Sequence, residues 1–288
     1  MLGALLVSGA GGRVYGQDGQ KHLDLLMGLD MNYKDIDYVR QYDILLRVTP
    51  GFKWEMGNHW QLAGQALVPV FNQYGDAYGR IRLGMLDLSK QFKLGPIYAK
   101  GSVGFFSANR YGIDLKAFLP VTSWLALEGE WGYTGRYLFD GHFYASPIAR
   151  HTGFIGGDIF LRRWNTQLRG TLARYIYTDW GLEGEIMRHF AHSTLDLYAQ
   201  WNNKIGLNGG FKVVVMLPPY NRSSRFVRIR PTSHFTLNDR IKYTDYGSRT
   251  YLTDPDENIR EGWFDNDLLR WGANAKNTVF STKERRAE

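Results

Sequence analysis

The chain has 288 residues with no cysteine, 35 Lys and Arg against 28 Asp and Glu, and a formal net charge of +7. The missing cysteine removes disulfides, thiolate metal sites, cysteine nucleophiles and a lipidated N-terminal cysteine together. The positive balance suits anionic partners, but the basic residues are spread out, with no Lys/Arg run interleaved with aromatics, which argues against nucleic acid.

Hydrophobic residues reach 44% and aromatics 15%, yet they stand singly among polar neighbours, as in strands that hide only half of their side chains. Most of the 33 glycines lie inside apolar runs, which points to strongly curved sheet.

The opening "MLGALLVSGAGGRVYGQDGQ" reads as part of a secretory signal peptide, with Val14, Tyr15 and Gly16 permitting cleavage before Gln17, so residues 1–17 are expected to be leader. A first strand follows at 22–33. The clearest pattern is "YDILLRVTPGFKWEM" at 42–56. Tyr42, Ile44, Leu46, Val48, Pro50, Phe52, Trp54 and Met56 share one face, and Asp43, Arg47, Thr49, Lys53 and Glu55 the other, with Leu45 an apolar exception on the polar side. Period two over fifteen residues far exceeds an ordinary globular strand.

Further strands are predicted at 60–71, 79–92 (Ile81, Leu83 and Met85 against Arg80 and Arg82), 97–106, 111–119 and 125–133. Five more fall at 153–164, 166–177, 181–190, 193–201 and 207–217, making twelve. Connections are short near Gly57, Gly95, Thr122 and Trp164, and longer near 34–41, 73–79 and 136–150. Short turns on one side and long loops on the other, strands of nine to fifteen residues, and aromatics such as Trp54, Trp60, Trp124, Trp164, Trp180 and Trp201 at strand ends suit a spanning barrel. The fold expected is all-β, a transmembrane antiparallel β-barrel of about 12 strands over residues 18–220 in the bacterial outer membrane. Residues 221–288 form a C-terminal tail or accessory segment.

The polar face then lines a lumen of both charge signs: Arg47, Lys53, Glu55, Arg80, Arg82, Lys100, Asp114, Lys116, Glu128, Glu130, Arg169, Glu183, Glu185, Asp196 and Lys212. These residues serve either as cross-strand ion pairs that fill the interior or as a contact surface for a charged or hydroxyl-rich polymer, with Tyr98 and Tyr198 as stacking platforms. Arg174 and Arg188 break the outward apolar pattern: near a strand end they reach headgroup phosphates, whereas mid-membrane each costs a few kcal/mol.

Catalytic signals are weak. No HExxH, paired Asp/His or GxSxG spacing accompanies His59, His142, His151, His189 and His192, and the close pair His189 and His192 reads as solvated histidines rather than a metal site. Glu128/Glu130 and Glu183/Glu185 have the spacing of a glycosidase acid and base, but any two acidic lumen positions produce the same pattern. No enzyme, metal or cofactor is expected.

The stretch 169–220, "RGTLARYIYTDWGLEGEIMRHFAHSTLDLYAQWNNKIGLNGGFKVVVMLPPY", resembles the YjbH-like exopolysaccharide-associated outer-membrane proteins. The likeness rests on the Thr178-Asp179-Trp180-Gly181 turn, the strand from Glu185 to Arg188-His189-Phe190, and the Gly-Phe-Lys strand ending at Leu217-Pro218-Pro219. It implies a non-enzymatic barrel tied to exopolysaccharide secretion or biosynthesis. The implied partners are outer-membrane lipid and lipopolysaccharide, an anionic exopolysaccharide and polysaccharide-export proteins. The larger family members carry further regions with no counterpart here.

A general or substrate-selective porin and a soluble β-sandwich binding protein are the rivals. The last barrel strand is expected to end at 217 and close on the first. The tail holds an Arg-rich stretch, "SRFVRIRPTSHFTLNDRIKY", that suits a further hairpin strand or a polymer contact. A short amphipathic helix is expected at "EGWFDNDLLRWG", and the tail either lies outside the barrel or folds back into it.

Overall fold

The structure, a computed structural model, describes residues 22–35, 42–122, 124–140, 142–190, 193–216, 222–223, 226–232, 234–240 and 248–255. The expected leader, His192, Leu217 to Pro219 and the expected helix lie outside the described residues. Strands make up almost all of the rest: β1 (His22–Asp35), β2 (Tyr42–Gly57), β3 (Trp60–Asn72), β4 (Arg82–Leu94), β5 (Ile97–Phe106), β6 (Arg110–Pro120), β7 (Leu125–Asp140), β8 (His142–Ala145), β9 (Arg150–Leu161), β10 (Thr166–Arg174), β11 (Trp180–His189), β12 (Ser193–Asn202), β13 (Gly206–Met216), β14 (Arg222–Ser223), β15 (Val227–Pro231) and β16 (His234–Arg240). Two 3₁₀ turns, Asp76–Tyr78 and Arg162–Trp164, are the remaining regular elements among the described residues.

The protein is thus nearly all β, and the twelve strands read from the sequence correspond to β1–β7 and β9–β13. Neighbours in sequence pair as antiparallel hairpins through one large sheet, with β8 appended to β7. Three local patterns differ from expectation. Tyr137 to Asp140 continue β7 and fold back on β8 instead of forming an open loop. β10 ends at Arg174, where Tyr175 N–H donates to the Asp179 carbonyl across a tight turn. In β4 the pairing slips between Gln65 and Ala66, so that Gly84 is extra, and Met85 turns inward and is buried, while Ile81 and Leu83 stay exposed.

The tail changes the seam. The expected contact between the last and first strands is absent from the described pairing, because β16 pairs with β13 and β15 pairs with β1. Twelve strands that alternate in direction leave β1 and β13 antiparallel. A thirteenth strand antiparallel to β13 therefore runs parallel to β1, as β15 does over Leu23 to Met27. Pro231 faces Met27 and His234 faces Met216, so β15 and β16 act as one interrupted strand that pairs first with one sheet edge and then with the other. The hydrogen-bonded sheet is not closed, but its edges approach each other here: Thr232 N–H donates to the Met27 carbonyl at 3.0 Å.

Curvature follows from chain lengths. Ser248 bonds Asn202 on β12, and Asp254 pairs with Lys53 on β2. A flat sheet would hold those strands roughly 43 Å apart at ~4.8 Å per step. Six residues of chain extend only about 22 Å. The sheet is curled around this segment.

Burial is inverted relative to a soluble domain. Along β6, Asp114 and Lys116 are buried whereas Ile113 and Leu115 are exposed. In β12, Asp196 and Gln200 are buried while Leu195, Leu197 and Trp201 are exposed, and the same reversal holds for Asp24 against Leu25 in β1 and Lys212 against Phe211 in β13. Leu45 and Val214, the apolar residues on the polar faces, are buried inside as their parity requires. Exposed aromatics gather near both ends of the strands: Trp54, Trp60, Trp124 and Trp164 at one end, Phe71, Tyr177, Trp180 and Trp201 at the other.

Candidate functional site

The concave face is a charged interior built by cross-strand register. Arg169 on β10 faces Asp158 of β9 and Glu185 of β11, and Lys212 of β13 faces Asp196 of β12. Arg169 Nε lies 3.0 Å from Asp158 and 3.1 Å from Glu128, and its Nη1 lies 3.5 Å from Glu185. Lys212 Nζ continues the chain at 3.2 Å from Glu185 and 2.5 Å from Asp196. Buried ions survive when each has an opposite partner and further hydrogen bonds. Gln167 supplies one by donating to Asp158 at 2.6 Å. His189, expected to be solvated, is instead buried and held by both ring nitrogens, Nδ1 to Thr194 at 3.0 Å and Nε2 to Gln167 at 3.1 Å.

Next to this network Gln200 donates to Glu183 at 2.7 Å and to the Tyr175 hydroxyl at 2.5 Å. Together with Glu128, Arg169, Thr171, Glu185, Ser248 and Thr250, and with the apolar Phe154 and Ala173, they line a cavity of about 70 Å³. A cavity needs only ~10–15 Å³ to hold a water, so this one has room for ordered water.

On the opposite wall strand residues and a separate segment share the pairing. Lys100 of β5 faces Lys116 of β6, and Lys116 faces Glu130 of β7, with Nζ 3.6 Å from its carboxylate. Asp87 of β4 and Asp114 of β6 are buried on the same wall, and one further anion comes from residues 248–255. Asp254 Oδ2 sits 2.9 Å from Lys53 Nζ and 3.5 Å from Lys100 Nζ, and Gln61 donates to it at 2.9 Å. Tyr251 stacks on Phe106 with centroids 5.3 Å apart and planes 9° from parallel, and its hydroxyl donates to Asp114 at 2.8 Å. Thr152 lies 3.3 Å from that hydroxyl. Gly132 leaves the space for it, since a Cβ there would overlap the phenol oxygen. Burial, reinforced by the carboxylates of Asp114 and Glu130, pushes the Tyr251 phenol above its ordinary range, so it remains a donor. The segment is also tied by backbone, with Leu252 N–H donating to Ser107 Oγ at 2.7 Å and Ser248 N–H to Asp179 at 2.7 Å.

The sequence-predicted lumen set divides accordingly. Lys53, Lys100, Lys116, Glu128, Glu130, Arg169, Glu183, Glu185, Asp196 and Lys212 all face the interior and fall into the two groups above. Arg47 pairs separately with Asp30. Arg82 is half-buried, with its guanidinium 5.1 Å from the Tyr78 ring. Arg80 differs from expectation, being exposed in the connection before β4. Tyr198 is buried inside, and Tyr98 carries the Lys93 ammonium 4.8 Å above its ring. Arg174 and Arg188 are exposed at or next to strand ends. Among the described residues no group of three His, Asp or Glu side chains has metal-ligand geometry.

Reading the sequence missed Asp158, Gln61, Tyr251 and Asp254. Asp158 carries a signal, as the single charge in the inward parity of "GFIGGDIFL"; "YLTDPDE" carries none. No protein-family model matches the chain, and no curated protein matches it in sequence.

Proposed function

We propose that this chain is an outer-membrane β-barrel protein, non-enzymatic, that works in exopolysaccharide secretion or biosynthesis with its lumen filled rather than open. The observation that carries the membrane part is the inverted burial: Lys100 and Lys212 are each 1% exposed while Ile155 is 74% and Leu207 66% exposed. In water this arrangement is costly on both counts, because charges are almost never fully buried inside soluble domains and large contiguous apolar surfaces seek cover. In a bilayer the outer face meets hydrocarbon and the aromatic ends meet the interfaces. This weighs against the soluble β-sandwich.

The polysaccharide part is supported by the resemblance of residues 169–220 and by an interior rich in carboxylates, hydroxyls and amides. The segment 248–255 across the lumen weighs against a general porin. Lipopolysaccharide, anionic exopolysaccharide and export proteins are the partners this reading names.

The membrane fraction should contain the protein as a heat-modifiable band, migrating faster in SDS before boiling than after. A protein recovered in the soluble fraction without detergent, and with no heat shift, would sink the barrel. In planar bilayers conductance should be small, whereas a large steady conductance would favour the porin.

A further inference from the structure

We propose that the interior wall of β2, β5, β6 and β7 is a binding site for a carboxylate-bearing glycan, and that Tyr251 and Asp254 occupy it as an internal stand-in for that ligand. The proposal rests on the polysaccharide reading above and names the substrate class and its regulation.

Three features carry it. The first is the chemistry of the occupant. Asp254 presents one carboxylate to Lys53, Lys100 and Gln61, and three residues earlier Tyr251 lays a flat ring on Phe106 with a hydroxyl on Asp114 and Thr152. An acidic sugar chain brings the same groups: an apolar ring face for an aromatic, hydroxyls for a carboxylate and a threonine, and a carboxylate for paired lysines.

The second is the wall beneath. Ser102 faces Ser89 on one side and Asp114 on the other, forming a row across β4, β5 and β6. Both serine hydroxyls, one oxygen of Asp114 and both oxygens of Asp87 are buried without a hydrogen-bond partner among the described residues. Buried polar atoms normally find partners, so a row of them marks a surface made to be satisfied by something else. A hydroxyl-rich ligand supplies donors along such a row, which the stand-in leaves unmet.

The third is charge exchange. Lys100 and Lys116 face each other, Lys116 keeps Glu130, and removing Asp254 takes one carboxylate from beside Lys53 and Lys100 and makes the wall more positive. Asp87, buried on the same face of β4, carries a carboxylate that can take up part of that charge while the segment is out. The site is therefore able to pass between an internally occupied and a ligand-occupied state.

The test uses the full chain in detergent micelles, first checked for the heat shift, and short oligogalacturonate as the probe. Asp254→Ala and, independently, Gly132→Ala, which displaces Tyr251 without altering charge, should each bind oligogalacturonate at least tenfold more tightly than the native protein. Adding Lys53→Gln to Asp254→Ala should abolish the gain, and neutral maltodextrin of equal length and inorganic phosphate should show none. Because the chain has no cysteine, Thr253→Cys gives one reporter thiol, and oligogalacturonate should accelerate its modification by maleimide.

A heat-modifiable protein in which neither variant gains affinity, or in which maltodextrin or phosphate gains equally, overturns the site and leaves the barrel standing. A native protein with no heat shift overturns the barrel and the site together.

Discussion

The two walls of the interior solve the same electrostatic problem differently. Between β7 and β13, Arg169 and Lys212 are surrounded by Glu128, Asp158, Glu185 and Asp196, all delivered by strands one or two places away in the sheet. Between β2 and β6, Lys53 and Lys100 take their carboxylate from Asp254, about 150 to 200 residues further along the chain. A wall whose ion pairs run from strand to strand is fixed once the sheet forms. A wall that also pairs with a separate segment can lose that carboxylate without losing a strand, and it is there that a ligand can compete.

The sharpest way to break this contrast is Arg169→Met. It strips the shared cation from three buried carboxylates, and removing one member of a buried ion pair typically costs ~3–5 kcal/mol. Urea denaturation in lipid vesicles, read by loss of the heat-modifiable band, should show the largest loss of the set. A change within about 0.5 kcal/mol, the range of ordinary surface substitutions, would mean that this wall is not an interlocked network.

Why one wall was legible in the sequence and the other was not follows from the same contrast. Strand parity is a period-two property, so "YDILLRVTPGFKWEM" and "TLDLYAQW" disclose which side chains share a face, and adjacent hairpins then bring Arg169 to Glu185 and Asp196 to Lys212. The bulge at Gly84 broke the parity at Met85 because an extra residue leaves no trace in an apolar run. The partnership of Asp254 with Lys53 depends on where the chain re-enters the interior, and no local pattern encodes that. The seam was misread for a related reason. "VRIRP" has strand character, but only the direction of β13 dictates that it must lie parallel to β1.

The outer face should not share the asymmetry. Leu115 on β6 and Ile186 on β11 are both exposed and lie on opposite walls. In a bilayer, Leu115→Arg and Ile186→Arg should each cost ~2–4 kcal/mol near the midplane. Similar losses at both sites would sharpen the comparison by confining the difference to the interior. Losses within about 0.5 kcal/mol at both would point to water outside.

A smaller effect is expected from Asp254→Asn, which keeps the shape and removes the charge that Lys53 and Lys100 hold. Hydrogen bonds to charged groups contribute about 1.5–3 kcal/mol, and Asp87 nearby offsets part of the loss. A double-mutant cycle should show coupling between Asp254→Asn and Lys53→Gln of at least ~0.5 kcal/mol. Asp254→Asn and Arg169→Lys should add within about 0.5 kcal/mol, since they act on different walls. Strong coupling between those two would merge the walls into one network.

The seam gives the smallest expected change. Asp24 accepts Arg228 through Nε at 2.6 Å and Nη2 at 3.0 Å, and Arg230 through Nε at 2.8 Å, so one carboxylate ties β1 to β15 through two guanidinium groups. Arg228 keeps 29% of its side chain in contact with solvent, and exposed pairs contribute only about 0–1 kcal/mol. Because Arg230 still neutralises Asp24, Arg228→Gln should cost less than ~1 kcal/mol, and Arg228→Gln with Arg230→Gln should cost more than the sum of the two singles. Additive losses would mean that the arginines do not share Asp24 in solution. In that case the parallel pairing of β15 with β1 would rest on its backbone ladder alone, and the seam would be held by neither wall.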